Sequence, residues 1–299
     1  MKKILAVVLS IMMLLGCTTA FADKLDDIKA AGKLVVGTEA TFAPYEFYYT
    51  DPETGEEKLC GFEMDLARGL AEELGVELVI SDQSFAGLIT ALRSGEIDCI
   101  ISGMAIKPDR EEVVDFSTPY YIGTQVVIVR AADLDKYHTT ADFAGTTVGA
   151  QLGSLQQGVV EEQFTESEAM LLDKVPLLML ELTQGNIEGV VCTDIVGKSY
   201  MNVYTDLAIS DVPIDFTSSG VAVAVNKGDN DSLLEVINNY IDRIKSDGTF
   251  DQWYNEALEI NGLLLEQEAA SDDTTEEATE EATEEATEEA NDEATDATT

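Results

Sequence analysis

The chain has 299 residues, with 58 acidic side chains against 17 basic ones and a formal net charge of −41. A field of that sign repels polyphosphate, which excludes nucleic acid as a partner. The length allows one large or two small domains, and the four cysteines show no Cys-x-x-Cys spacing, so neither a disulfide framework nor a zinc site is indicated.

Residues 1–22 read as an export signal. Lys2 and Lys3 precede an apolar run from Ile4 to Leu15 that only Ser10 interrupts. The run is shorter than the roughly 20 residues a membrane span needs. It ends in Leu14-Leu15-Gly16-Cys17, which resembles a bacterial lipobox and makes Cys17 the expected lipidation site. The alternative is cleavage at Ala20-Phe21-Ala22, which releases a soluble protein.

Strands and helices then alternate. Leu34-Val35-Val36 predicts a strand. Leu66, Ala67, Leu70, Ala71 and Leu74 share one helical face, closed by Gly75. Leu78-Val79-Ile80 is the next strand. Phe85, Leu88, Ile89 and Leu92 mark a second helix, stopped at Ser94-Gly95, and Asp98 to Ser102 a third strand. That order predicts a parallel sheet covered by helices. A second set begins past Tyr121, with strands at Gln125 to Arg130, Thr146 to Ala150, Met170 to Leu172 and Gly189 to Cys192. Ser154 is placed to cap one intervening helix, and Pro176 to open another that ends near Gly185. Val221 to Val225 is strand-like. Leu233, Val236, Ile237, Tyr240 and Ile244 form a long amphipathic helix, and a last helix contains Trp253, Tyr254 and Leu258.

Residues 266–299 are different material. From Glu268 onward there is no Lys or Arg, and Glu-Glu-Ala-Thr repeats from Glu276 to Thr287. Like charges four residues apart oppose a helix, and no apolar side chain larger than alanine remains, so a disordered acidic tail is expected. Cys99 and Cys192 lie in apolar runs and read as buried thiols. The only histidine, His138, sits in a polar stretch and reads as a surface residue.

The chemistry concentrates in Ile101-Ser102-Gly103-Met104-Ala105-Ile106-Lys107-Pro108-Asp109-Arg110. This run predicts a strand, a glycine turn and a helix start carrying an arginine. Such a turn offers backbone N–H groups to an anion, and the guanidinium fork of Arg110 matches a carboxylate. The α-carboxylate of an amino acid suits that combination. A surface arginine paired with Glu111 or Glu112 is the competing reading.

Several segments in order resemble the amino-acid-binding proteins of bacterial ABC importers, the solute-binding family for polar amino acids. They are Gly37-Thr38-Glu39-Ala40-Thr41-Phe42-Ala43-Pro44-Tyr45-Glu46-Phe47, Gly61-Phe62-Glu63-Met64-Asp65-Leu66, Phe85-Ala86-Gly87-Leu88-Ile89, Ser94-Gly95-Glu96-Ile97-Asp98 and the run from Ile101 through Tyr121. The resemblance implies an α/β periplasmic-binding-protein fold of two lobes joined by two hinge strands, with the ligand in the cleft between them. Residues 24–121 and 219–265 would form the first lobe and 122–218 the second.

The resemblance also implies roles. Arg110 would grip the ligand carboxylate, with the N–H of Ala105, where the family usually has Thr or Ser. Ser102 or the carbonyl of Gly103 would accept from the ligand ammonium. Phe42 and Phe85 would sandwich the ligand side chain. Ser154 would offer a helix N-terminus, and Gln151 and Gln156 would reach the side chain. The family's acid for the ammonium falls on Thr193, with Asp194 one place later, and either residue is a candidate. An acid at Glu39, near the end of the ligand side chain, favours a cationic or neutral amino acid over an acidic one.

The implied function is extracytoplasmic capture of a free polar amino acid and delivery to an ABC permease and its ATPase. The protein would be a monomer on the outer face of the cytoplasmic membrane, held by a lipid anchor, with no cofactor, no metal and no catalysis. A sensor of the same fold, or a dehydratase-type enzyme acting on prephenate-like substrates, are the alternatives.

Overall fold

A computed structural model describes residues 23–265 and 267, apart from 217, 218 and 229. The export signal, Cys17 and nearly all of the acidic tail fall outside the described residues. In chain order the elements are α1 (Lys24–Ala31), β1 (Lys33–Thr38), β2 (Thr41–Phe42), β3 (Glu46–Thr50), β4 (Glu57–Cys60), α2 (Phe62–Leu74), β5 (Glu77–Asp82), a 3₁₀ turn (Phe85–Gly87), α3 (Leu88–Ser94), β6 (Cys99–Ile100), α4 (Pro108–Glu111) and β7 (Val114–Phe116). There follow β8 (Gln125–Arg130), 3₁₀ turns at Ala131–Lys136 and Thr140–Phe143, β9 (Thr147–Gln151), α5 (Leu155–Gln163), β10 (Glu168–Leu172), α6 (Val175–Thr183), β11 (Gly189–Thr193), α7 (Asp194–Met201), β12 (Leu207–Ile209), β13 (Ala224–Asn226) and α8 (Asp231–Ser246). Residues 249–265 are helical.

Two five-stranded sheets organise the molecule. The first has the order β5-β1-β6-β13-β7, the second β10-β9-β11-β8-β12. Each therefore anchors one of the two lobes. Crossover helices make the parallel pairs of β1 with β5 and β6, and of β9 with β10 and β11. The sheets are mixed, which corrects the expectation of a parallel first sheet. β13 runs antiparallel to β6 and β7, and β8 runs antiparallel to β11 and β12. The reversal has a topological cause: β8 and β13 are the strands by which the chain leaves one sheet for the other and comes back. The small antiparallel sheet β2-β3-β4 was not legible as strands.

The helices bury the faces their spacing marks. On α2, Leu66, Ala67, Leu70 and Leu74 are buried, and on α8, Leu233, Ile237, Ile241 and Ile244. These belong to one continuous apolar core that also contains Leu34, Val36 and Val225. Cys99 and Cys192 are buried free thiols, as expected. His138 lies on the surface with its ring 2.8 Å from the carboxylate of Asp211.

The two crossing segments meet in a short antiparallel bridge. The N–H of Val221 donates to the carbonyl of Tyr121 at 2.8 Å, and the N–H of Tyr120 to that of Val221 at 3.0 Å. Tyr254, from the last helical stretch, stacks on Tyr121 with ring centroids 5.8 Å apart. The hinge is thus two strands held side by side and backed by an aromatic ring.

Candidate functional site

The cleft between the sheets closes over a cavity of about 40 Å³. Space of that size holds water, so an amino acid enters only when the lobes part. Eleven of the twelve ligand-site positions expected from sequence line it: Glu39, Phe42, Phe85, Ser102, Gly103, Ala105, Arg110, Gln151, Ser154, Gln156 and Thr193. Asp194 does not.

Arg110 lies on the short helix α4 that follows the glycine turn. It is 5% exposed. One guanidinium nitrogen donates to the carbonyl of Ala105 at 2.8 Å, and the other reaches across the cleft to the carbonyl of Gly153 at 3.1 Å. Its charge sits 5.5 Å from the ring centre of Phe85. No described carboxylate forms an ion pair with it, so Glu111 and Glu112 are not its partners. Burial pulls its pKa down to about 10. The bridge between Ala105 and Val221 is closed by their neighbours: Ile106 N–H to Gly220 carbonyl, and Ala222 N–H to Met104 carbonyl. Ala105's own polar groups are therefore turned away from Val221, and its carbonyl meets Arg110.

Glu39 follows β1 and is 4% exposed. It accepts from the Thr41 hydroxyl at 2.6 Å and, across the cleft, from Gln151 Nε2 at 2.9 Å. Burial raises its pKa, and the bonds from Thr41 and Gln151 oppose that rise. Gln151 also donates to the carbonyl of Asp173 at 2.9 Å. Gln156 donates to Gln125 at 2.7 Å, while Ser154 caps α5 by accepting from the N–H of Gln157 at 3.1 Å. Gly153, at φ 76°, comes so close to the first lobe that a Cβ there would lie 2.9 Å from Ala86. Only glycine permits that approach in that conformation.

Phe42 stacks on Tyr45 with centroids 4.8 Å apart. Gly103 fits beneath the Phe42 ring, which an added Cβ would meet at 3.0 Å. The Ser102 hydroxyl donates to Glu46 at 2.7 Å and accepts from the N–H of Glu39 at 3.0 Å. Thr193 is buried, and its hydroxyl has no well-formed bond to a described residue although it approaches that of Tyr45. The carboxylate of Asp194 turns aside to Lys198 at 2.7 Å and to the N–H of Thr124 at 3.3 Å.

Residues 34–259 match the model for bacterial extracellular solute-binding proteins, family 3. The chain belongs to that family. It is 32% identical over 232 residues to the ABC transporter arginine-binding protein 1 of Escherichia coli, covering 75% of this chain and 92% of that one. Among solved structures it is similar to the amino acid ABC transporter substrate-binding protein AbpA of Streptococcus pneumoniae bound to L-arginine (TM-score 0.76, 34% identity, 79% of this chain and 98% of the other). It is also similar to AncCDT-1, an ancestral amino-acid-binding protein described as a precursor of cyclohexadienyl dehydratase (TM-score 0.70, 31% identity, 78% and 99%).

As a member of family 3, the chain also brings to its cleft residues that the sequence reading passed over. Tyr45, Glu46, Gln125 and Phe216 line the same cavity. Glu63, directly behind, is fully buried. A signal for Glu63 exists in the sequence: it stands four residues before Ala67 and seven before Leu70, on the helical face that is otherwise apolar. Glu46, one residue past Tyr45 in a short strand, carries no comparable mark.

Proposed function

We propose that this chain captures a polar amino acid with a cationic or neutral side chain by closing its lobes, and hands it to a membrane permease driven by an ATPase. The observation that carries the reading is Arg110. A buried guanidinium without an anion among the described residues, bonded to the carbonyls of both lobes, is a receptor for a carboxylate that only closure completes. The buried Glu39 in the same cavity supports a cationic side chain and opposes an acidic one. Relatives named for arginine make L-arginine the first ligand to try.

A thermal-shift screen of the intact protein against the standard amino acids, ornithine, citrulline and cystine tests this, since a ligand of the native state raises the melting point. The expected result is a shift with arginine or a related group that Arg110→Ala abolishes. Tight aspartate or glutamate binding without arginine, lysine, glutamine or cystine binding overturns it. We read the chain as a monomer, exported and anchored through a lipidated Cys17. A Cys17→Ser variant that remained on the membrane would contradict the anchor.

The likeness to AncCDT-1 keeps a dehydratase as the second reading. It would need a buried acid or base in the cleft, and Glu39 and Glu46 are buried carboxyls that line it. Turnover of prephenate or arogenate by the purified chain decides for the enzyme, and its absence alongside amino-acid binding decides for the carrier.

A further inference from the structure

Beneath the first lobe's side of the cleft lie two carboxyl groups, Glu46 on β3 and Glu63 on α2, both fully buried. Glu63 is surrounded by donors. The N–H of Gly103 lies 2.9 Å from each of its oxygens, and the hydroxyl of Tyr120 is 2.6 Å from one of them. Glu46 takes the hydroxyl of Ser102 on Oε1. Its Oε2 is buried with no donor among the described residues, and the carboxyl lies against that of Glu63. Two ionised carboxylates only accept, so they cannot bond to each other. One proton on Glu46 Oε2, donated to Glu63, removes both the repulsion and the orphaned atom. Burial and the neighbouring Glu63 push the Glu46 pKa well up, in the same sense.

The pair then holds a single negative charge. The groups that face it are Glu39, Ser102, Tyr45, Tyr120 and the N–H of Gly103, and no described cation is among them. The same cavity contains the opposite case, Arg110, a buried cation with no described anion. Unbalanced buried charges are costly, and a zwitterion supplies both missing counter-charges at once. Tyr45 and Thr193 line that cavity beside Glu46, and the hydroxyl of each is buried without a well-formed bond to a described residue.

From this we infer that the Glu46–Glu63 pair provides the negative charge opposite the ammonium of the bound amino acid, with Tyr45 and Thr193 as its neutral acceptors. The inference rests on the amino-acid reading above. It assigns to the first lobe the negative charge that the family resemblance placed on Thr193 or Asp194.

Calorimetry on the intact chain tests it with two probes: L-arginine, and 5-guanidinopentanoic acid, which keeps the carboxylate and guanidinium but lacks the ammonium. The wild type is expected to prefer arginine. The double variant Glu46→Gln/Glu63→Gln removes the charge while keeping shape, and is expected to lose arginine affinity by about 10- to 100-fold with little change for the analogue. A double variant that melts cooperatively and keeps the full preference overturns the assignment. Asp194→Asn keeps the test decisive if the double variant fails to fold: a retained preference supports the pair, and a lost one overturns it. Failure of the wild type to bind either probe, with no thermal shift from any other amino acid, would instead overturn the amino-acid reading.

Discussion

The two walls of the cleft are built from different chemistry. The first lobe contributes charge: Glu39, Arg110 and the Glu46–Glu63 pair, all nearly or fully buried. The second contributes neutral groups: Gln125, Gln151, Ser154, Gln156 and Thr193. Buried charges demand fixed geometry, because a misplaced partner leaves them unpaired. Amides and hydroxyls both donate and accept, so they tolerate small shifts in approach. The first lobe is therefore suited to seize a charged ligand while the cleft is open, and the second to complete the bonds as it swings in. This division makes the first lobe the larger source of affinity.

The largest effect should come from Arg110→Ala. Truncating one partner of a buried charge pair costs about 2–5 kcal/mol, roughly 30- to 5,000-fold in affinity. Calorimetry with L-arginine measures it. The unliganded variant should melt no lower than wild type, since it loses a buried cation without a described anion. A second-lobe substitution with an equal effect, Gln156→Ala for instance, would break the contrast between the walls.

Glu39→Gln comes next. It keeps the side chain's size and can still bond Thr41 and Gln151, but it removes the charge. Arginine affinity should fall by about 10- to 100-fold, while glutamine affinity changes less than about threefold. Competition between the two ligands reads the shift directly. Equal losses for both would make Glu39 a structural acid.

The charged wall should also be visible without a ligand. Glu39, Glu46 and Glu63 are all raised above the ordinary glutamate value of 4.5, first of all by burial. Above that pH the folded state keeps protons that the unfolded chain has released, so stability falls as pH rises through the window from 4.5 towards the folded values. The unliganded protein should melt higher at about pH 5.5 than at about pH 7.5, and the difference should shrink in Glu46→Gln/Glu63→Gln. Depressed surface carboxylates such as Asp51 and Glu73 act oppositely, but only as pH falls below their ordinary values.

The two walls also differ in how far they could be read from sequence. Arg110 was legible because a strand, a glycine turn and a proline at the helix start fix its position locally. The capping Ser154 and the apolar faces of α2 and α8 were legible for the same reason. The carboxyl pair was not: the apolar face of α2 marks Glu63, but Glu46 carries no such mark and is joined to Glu63 only through tertiary contacts. Gln125 and Phe216 belong to segments whose place depends on how the chain crosses between sheets. The mixed strand directions have the same origin: local periodicity marks a strand but not which way it enters the sheet. The Thr193–Asp194 ambiguity came from the family resemblance, whose acid falls on Thr193 with Asp194 one place later; the structure ends β11 at Thr193 and opens α7 at Asp194.

Asp194→Asn should have the smallest effect, and it tests the contrast most sharply. The residue opens α7, with its carboxylate held by Lys198 one turn on and by the N–H of Thr124. The lysine side chain is 65% exposed, so the ion pair is screened and its loss costs under about 1 kcal/mol of stability. Because the carboxylate does not line the cavity, arginine affinity should stay within about threefold of wild type, below the roughly tenfold minimum expected for losing a charge-assisted bond to the ligand. Calorimetry separates these values. A tenfold loss would mean that Asp194 turns to the ammonium when the ligand binds, placing a charge in the second lobe's wall and removing the asymmetry on which the order of binding depends.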